Sequence, residues 1–288
     1  MRITKAVITA AGFATHFLPA TKVVPKELLP LIDRPIIQYS VEEAVESGIK
    51  EIAIVTRPRD MHIQKYFLAN PTLEAHLRQQ RKQELLKTIK KIEKMAKFSF
   101  FEQKPNLPYG TASTLVTIRN FIKKGESFVF IFGDDLVLSK IPATKQLLNR
   151  WQKNPQAVIL AVQKIPLKEV NRYGMVKLER GRVVDFVEKP EPEKAPSCLA
   201  SLGRFIFKRE IIDWLLARKD KERGRKEFCH ADAIAWYAKK GTVLTQIIKG
   251  KWLTTGDPLR YLKATIEYAL VRKDISKEFK DFLRNLNV

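Results

Sequence analysis

The stretch VITAAGFATHFLPATKVVPKELLPLID, Val7 to Asp33, decides how this 288-residue chain is read. It opens on an apolar run, Ala6 to Ile8, short enough for one buried strand, and then breaks into Ala10-Ala11-Gly12-Phe13-Ala14-Thr15. Residues this small let backbone N–H groups approach a ligand closely, as a bound phosphate requires. Lys22 and Lys26 follow, with Pro19 and Pro25 stiffening the approach, before Leu28, Leu29 and Leu31 return the chain to a core. By residue type alone the stretch is equally a strand and a proline-rich turn with solvated lysines, because one glycine in a turn is a weak signal.

Outward from it, Pro35 stands near the start of a helical pattern in which Ile36, Ile37, Val41, Ala44 and Val45 share a face and Gly48 offers a stop. Ile52 to Val55 is the next apolar strand. Strand, helix and strand at this spacing imply a right-handed parallel crossover, which places Ala10 to Ala14 at a strand's C-terminal end, where open α/β sheets bind ligands. Met61 to Leu68 and Leu73 to Lys97 have helical spacing, and Phe98 to Phe101 reads as a strand. A turn-rich loop from Phe101 to Ala112 feeds a helix running to about Phe121. Strands are expected at Phe128 to Phe132 and Ala157 to Val162, a hairpin about Gly181, a long strand over Pro196 to Phe207, and one amphipathic helix from Pro258 to Leu286.

Composition narrows the partners. At 45% hydrophobic residues the chain can bury a sizeable core. Two cysteines, Cys198 and Cys229, make neither a metal pattern nor a disulfide framework, so a reducing cytoplasm is the expected setting. The N-terminal apolar run is too short to span a membrane, and no export signal is seen. A formal net charge of +22 admits polyanionic partners of several kinds. Yet the cations from Arg78 to Lys97 alternate with Leu85, Leu86, Ile89, Ile92 and Met95, which is the solvated face of an amphipathic helix. With no reader motif and no aromatic interleaving, neither nucleic acid nor a membrane is an expected partner.

Two carboxylates, Asp134 and Asp135, emerge where the apolar strand Phe128 to Phe132 stops, a position that is costly unless they are solvated or bound to a cation. Substrate phosphates completing an oxygen shell is the usual way Mg2+ is held there. By residue type alone the loop carrying Gln103 and Gly110 reads as an ordinary polar turn, although a side-chain amide offers both a donor and an acceptor and a glycine lets a ligand lie against backbone.

The run Ala10-Ala11-Gly12-x-x-Thr15 through Pro19-Ala20-Thr21-Lys22-x-x-Pro25-Lys26-Glu27-x-Leu29-Pro30 resembles the signature of the sugar-1-phosphate nucleotidylyltransferases, and the resemblance extends over nearly the whole chain. It implies an α/β fold, Rossmann-like, with a mostly parallel central sheet flanked by helices, of the nucleotide-diphospho-sugar transferase type. The single domain 1–288 would divide into a nucleotide-binding half over 1–155, a sugar-binding half over 156–257 and a C-terminal helix over 258–288. The implied reaction moves a uridylyl group from UTP to glucose 1-phosphate, giving UDP-glucose and pyrophosphate with Mg2+ as cofactor. A homo-oligomer is left open.

Residue by residue, the resemblance implies catalytic roles for Lys26 on the triphosphate and Lys189 on the sugar phosphate, and a metal role for Asp134 in its Gly133-Asp134-Asp135 block. Substrate binding is implied for Ala10, Ala11, Gly12 and Glu27, for Gln103 and Gly110 at the base, for Asp135, and for Gly174, Glu188 and Lys189 at the sugar. Three departures stand out. The family reads G-x-G-T-R where this chain has Gly12-Phe13-Ala14-Thr15-His16, Ile-Gln-Leu where it has Phe228-Cys229-His230, and a second metal aspartate where it has Thr254. A slow enzyme is therefore expected, with a silent nucleotide-sugar-binding regulatory paralogue and a transferase for another nucleotide or sugar phosphate as the alternatives.

Overall fold

The computed structural model describes residues 2–221 and 227–286. The first half of the chain runs β1 Lys5–Ala10, β2 Pro30–Leu31, β3 Arg34–Pro35, α1 Ile36–Glu46, β4 Glu51–Thr56, α2 His62–Phe67, α3 Pro71–Gln79, α4 Gln83–Glu93, β5 Lys97–Glu102, α5 Thr111–Thr117, β6 Ser127–Phe132, β7 Asp135–Leu138 and α6 Ala143–Gln152. The second runs β8 Val158–Lys164, β9 Gly174–Glu179, β10 Arg182–Glu188, β11 Leu199–Lys208, α7 Arg209–Arg218, α8 His230–Lys240, β12 Val243–Ile247, β13 Lys251–Thr254, α9 Pro258–Val271 and α10 Ser276–Arg284.

The apolar runs Ala-Val-Ile in β1, Ile-Ala-Ile-Val in β4 and Phe-Val-Phe-Ile in β6 are buried on both faces, as strands covered by helices must be. They pair in parallel: β1 lies between β4 and β6, and β5 follows β4. The mostly parallel central sheet expected from sequence is observed, with the long strand β11 and the edge strand β10 running against it. The residues of β11 pair antiparallel with β6 from Arg204 to Lys208, touch β9 at Ala200, and pair antiparallel with β8 along the other edge. One nine-stranded sheet thus crosses both halves of the chain. The parallel strands β1, β4, β5 and β6 end on one edge, and the loops after them carry Ala10 to Ala14, Thr56, Gln103 and Gly133 to Asp134. A separate two-stranded ribbon, β7 against β13, leaves that edge with Asp135 opposite Thr254 and Leu138 opposite Lys251.

Two expected helices are each broken in two. Leu73 to Lys97 is α3 and α4, because Arg81 takes a left-handed backbone (φ 56) and Lys97 already belongs to β5. The C-terminal segment 258–288 is α9 and α10, not one helix. Arg272 leaves helical geometry (ψ 116) and is held by Asp274 and by Asp33 from the first half, so the chain turns where the apolar stripe alone promised continuity. Residues 287–288 of that segment lie outside the described residues. Among the described residues no helix is long and apolar enough to cross a membrane.

Candidate active site

The small-residue loop of Ala10 to Thr15 leaves the C-terminal end of β1. Ala10 pairs with Thr56 of β4, whose carbonyl accepts from the Gln103 backbone N–H at 2.9 Å, so the small-residue loop and Gln103 stand on adjoining strand ends. A Cβ on Gly12 would meet nothing within 4 Å, so the loop is open to a ligand. Ala14 takes the left-handed conformation (φ 52, ψ 45) and is held there by the Thr21 hydroxyl, which donates to its carbonyl at 2.8 Å. That conformation explains why the family pattern has glycine at this position.

Gly110 also needs its freedom. Its φ is +134, and a Cβ there would stand 2.2 Å from the Phe228 carbonyl oxygen, so the close approach is made to the chain's own backbone. Tyr109, next to it, stacks on Phe13 of the small-residue loop at 6.4 Å and 25°, and the Arg57 guanidinium lies 5.9 Å from the Phe13 ring. Both rings are more than half exposed, so the pair closes the loops over one another at the surface.

Lys26 forms an ion pair with Asp134, which projects from the turn after β6. Burial works against both charges. For Lys26 the neighbouring Asp134, Glu27 and Asp135 outweigh it and hold the ammonium firmly charged; for Asp134 the Lys26 charge and hydrogen bond outweigh it and keep the carboxyl below its usual range. Glu27 is the converse case. Buried at 2% exposure, it is pushed up to about 7 by burial despite the opposing Lys26 charge, and its Oε2 has no hydrogen-bond partner among the described residues. Asp135 is raised by burial and by the Asp134 charge, and its oxygens are engaged: Gly203 N–H donates to Oδ2 at 3.2 Å and Trp252 Nε1 to Oδ1 at 3.3 Å. It therefore braces the site more than it offers a free ligand atom.

Beyond this cluster a cleft of about 680 Å³ opens between the sheet edge and α9, and it gathers His16, Asp134, Asp135, Gly174, Glu188, Lys189 and Thr254 on its wall. Gly174 pairs with Glu188 across the hairpin, and a Cβ on it would stand 2.3 Å from the Phe186 ring and 2.9 Å from Glu188 Oε2. Glu188 is raised by burial, with Lys189 opposing, and Lys189 Nζ lies 3.9 Å from its Oε1. Lys189 itself is held in a left-handed backbone (φ 47), the kind of local strain that collects at functional positions. Ala10, Ala11, Gly12, Lys26, Glu27, Gln103 and Gly110 sit at the same sheet edge but not on this cleft's wall.

Cys229 Sγ lies 3.4 Å from His230 Nδ1, but both groups are buried and held neutral. Burial, with Glu188 nearby, pushes the thiol up to about 12, and burial together with the Lys189 charge pushes His230 down to about 3. The His230 backbone N–H donates to the Thr111 hydroxyl at 3.2 Å, that hydroxyl and Nδ1 share a hydrogen bond of 2.8 Å, and Nε2 is buried without a hydrogen-bond partner among the described residues. The ring packs among Phe132, Phe186 and Phe205.

Reading by motif missed Arg204. It is fully buried in β11, pairs with Glu43 of α1 through Nε at 3.0 Å and Nη2 at 3.0 Å, and donates to the carbonyls of Phe132, Gly203 and Asp135. It ties α1 to the Gly133-Asp134-Asp135 turn from beneath. A lone arginine inside Leu-Ala-Ser-Leu-Gly-Arg-Phe-Ile-Phe was the available signal, since a charge in such a run needs partners.

Among the described residues no group of three or more His, Cys, Asp or Glu side chains is disposed to hold a metal. The donor set still suits Mg2+ in the mode that takes one or two carboxylates and completes its shell with phosphates and water. Asp134 is ionised, faces the cleft, and commits Oδ2 to Lys26, which leaves Oδ1.

The family model described as Nucleotidyl transferase matches residues 5–270. The UTP–glucose-1-phosphate uridylyltransferase of Bacillus subtilis is 37% identical over 290 residues, covering 99% of this chain and 97% of that protein. The UTP–glucose-1-phosphate uridylyltransferase 1 of Staphylococcus saprophyticus is 38% identical over 292 residues, covering both chains in full. Among solved structures, a UDP-glucose pyrophosphorylase complexed with UDP-glucose superposes with a TM-score of 0.82 at 35% identity, covering 94% of this chain and 100% of that one. The UTP-bound enzyme of Acinetobacter baumannii superposes with a TM-score of 0.88 at 31% identity over 99% of this chain and all of the other.

Proposed function

Since this chain belongs to the nucleotidyl transferase family, we propose that it transfers the uridylyl group of UTP to glucose 1-phosphate, releasing UDP-glucose and pyrophosphate. The observation that carries the reading is the convergence of Asp134, Glu188 and Lys189 on one cleft beside the small-residue loop, in a chain similar end to end to uridylyltransferases. A phosphate oxygen of the sugar phosphate attacks the α-phosphorus of UTP, the bond to the β-phosphate oxygen breaks, and pyrophosphate leaves. There is little covalent work for the protein, so positioning and neutralisation of charge carry the rate.

In this reading the open backbone of Ala10, Ala11 and Gly12 receives the nucleotide phosphates, with Glu27 buried beneath the loop. Gln103 and the segment fixed by Gly110 take the base. Gly174, whose missing side chain lets Phe186 and Glu188 close in beside it, borders the hexose, Glu188 accepts from the sugar hydroxyls, and the exposed Lys189 ammonium meets its phosphate. Lys26 stabilises the triphosphate. Asp134 would hold Mg2+, which supplies charge neutralisation at the phosphates. The nucleotide half is taken as 1–155 and the sugar half as 156–257, on one continuous sheet. We place the protein in the cytoplasm, in keeping with its two free cysteines.

Purified protein incubated with UTP, glucose 1-phosphate and Mg2+ should release pyrophosphate, faster than with any other nucleotide. A second reading, a silent binding paralogue, is favoured by His16 and Thr254 on the cleft wall where the family pattern has arginine and aspartate. Removing one preorganised electrostatic contact costs about 10² to 10³ in rate, so one loss slows such a site and two bring it close to silence. Binding of UDP-glucose without turnover on any substrate pair, with turnover restored by His16→Arg and Thr254→Asp together, would establish the silent paralogue instead.

A further inference from the structure

A second cavity, of about 720 Å³, lies at the end of the ribbon opposite to that bordering the cleft of Asp134 and Glu188. Its wall carries four cations, Lys140, Arg150, Lys153 and Lys249, and no aspartate or glutamate. No ion pair is formed by any of the four among the described residues, and Arg150 Nε is buried without a hydrogen-bond partner. In a chain whose cations elsewhere are often paired, four unpaired ones around a concavity raise its potential. Arg150 and Lys153 end α6, where cations complement the helix C-terminus, but that does not account for Lys140 and Lys249, which come from turns on other elements.

The floor beneath them is built. Gln146, nearly buried, donates from Nε2 to the carbonyls of Ile141 at 2.9 Å and Lys249 at 2.8 Å, and accepts the Lys249 N–H at 2.9 Å. Ser139 Oγ donates to the Lys249 carbonyl at 2.8 Å. Gly250, at φ +137, lets the two turns close, since a Cβ there would stand 2.7 Å from Ser139 Cβ. These turns are the outer end of the β7/β13 ribbon. Leu138 opposite Lys251 borders the cavity; three residues along, Asp135 opposite Thr254 borders the cleft, a separation of roughly 10 Å of extended chain.

We propose that this cavity is a second anion site, taking a ligand with two or more linked phosphoryl groups, and that its occupancy is transmitted along the ribbon to Asp135 and Thr254. Cations on three separate elements around so large a space suit a chain of phosphates better than one. The ligand chemistry is shared by free oligophosphate and by the phosphate tail of a nucleotide. Leu138 and Ile141 on the wall favour the nucleotide.

Inorganic tripolyphosphate titrated calorimetrically into the full chain should show two binding events. Lys140→Glu with Lys153→Glu, both exposed, should weaken one by about tenfold or more while leaving basal turnover unchanged, and Lys26→Met should leave that event intact. ATP in place of tripolyphosphate separates the sources: equal affinity assigns the phosphates alone, tighter binding assigns the nucleotide. Trp252, mid-ribbon, reports the transmission, and its emission should change with the second event in wild type but not in Trp252→Phe. A single binding event, a second event indifferent to the double substitution, or sulfate binding as tightly at equal ionic strength would overturn the site. Binding without a Trp252 response would overturn the transmission.

Discussion

Ala14 is where the departure from the family pattern has a measurable cost. An alanine in the left-handed region costs about 1–2 kcal/mol relative to its ordinary conformations, and glycine gives back part of that relief through greater freedom in the unfolded chain. Ala14→Gly should therefore raise stability by about 0.5–1 kcal/mol in a denaturant titration; an unmoved or lowered midpoint would show that the neighbouring contacts absorb the strain. Lys26 and Asp134 call for a different design, because each single substitution strands the other's charge in a partly buried place. Asp134→Asn should cut Mg2+-dependent turnover by at least about 10² and also destabilise the fold. Adding Lys26→Met should recover stability but not turnover, and a double-mutant cycle with no coupling would remove the ion pair from the argument. Lys189 is half exposed, so Lys189→Ala, which inherits the same backbone strain, should raise the KM for glucose 1-phosphate while leaving that for UTP and the melting temperature in place. Equal loss for both substrates would withdraw the sugar-phosphate assignment. These side chains were legible from motif order. What sequence could not supply was their state: that Lys26 and Asp134 pair, that Asp135 is already engaged, or that Glu27 lies buried with an oxygen unpartnered.

The elements that place the site were read well where period and punctuation agreed, and less well where a long-range contact ended them. β1, β4 and β6 carry continuous apolar runs and α1 an apolar face, with proline or glycine near their edges, and each formed as expected. The breaks at Arg81 and Arg272 carry no such mark, since an arginine is a good helix former; at Arg272 the departure is held by Asp274 and by Asp33, a partner distant in sequence. β11 shows the same limit in another form. Its ten residues were expected as one strand, but its antiparallel pairing to both β6 and β8 is a property of the sheet. Arg204 makes that pairing consequential by joining β11 to α1 and to the turn that holds Asp134. Arg204→Met should destabilise by about 3–5 kcal/mol, because it leaves Glu43 charged and buried with fewer partners and removes the donor from three carbonyls. Pairing it with Glu43→Leu should recover part of the loss in an equilibrium unfolding measurement. If the single substitution costs under about 1 kcal/mol, the arginine is not the tie between helix and sheet.

Across the whole molecule the pH dependence of stability sets two buried groups against each other. His230, pushed down to about 3 from its ordinary 6.5, stays neutral in the folded chain while the unfolded chain takes up a proton below 6.5, so its contribution is present above 6.5 and is lost as pH falls toward 3. Glu27, pushed up to about 7 from 4.5, has the opposite sign: the folded chain holds the extra proton, so its contribution is full below 4.5 and is lost as pH rises through 7. Each changes stability by about 1.4 kcal/mol per pH unit inside its window, and between pH 4.5 and 6.5 the two slopes largely cancel. A flat wild-type profile there would hide both. The differences between variants expose them. His230→Leu, which installs the residue of the family pattern among the same phenylalanines, should gain on wild type by about 2 kcal/mol between pH 8 and pH 5, and Glu27→Gln should lose on wild type by a similar amount over the same interval. The check is a set of urea unfolding curves at half-unit pH steps for the three proteins. Parallel curves for His230→Leu and wild type would mean that the imidazole is already solvated in the folded chain, and the aromatic enclosure drawn for it would have to be abandoned.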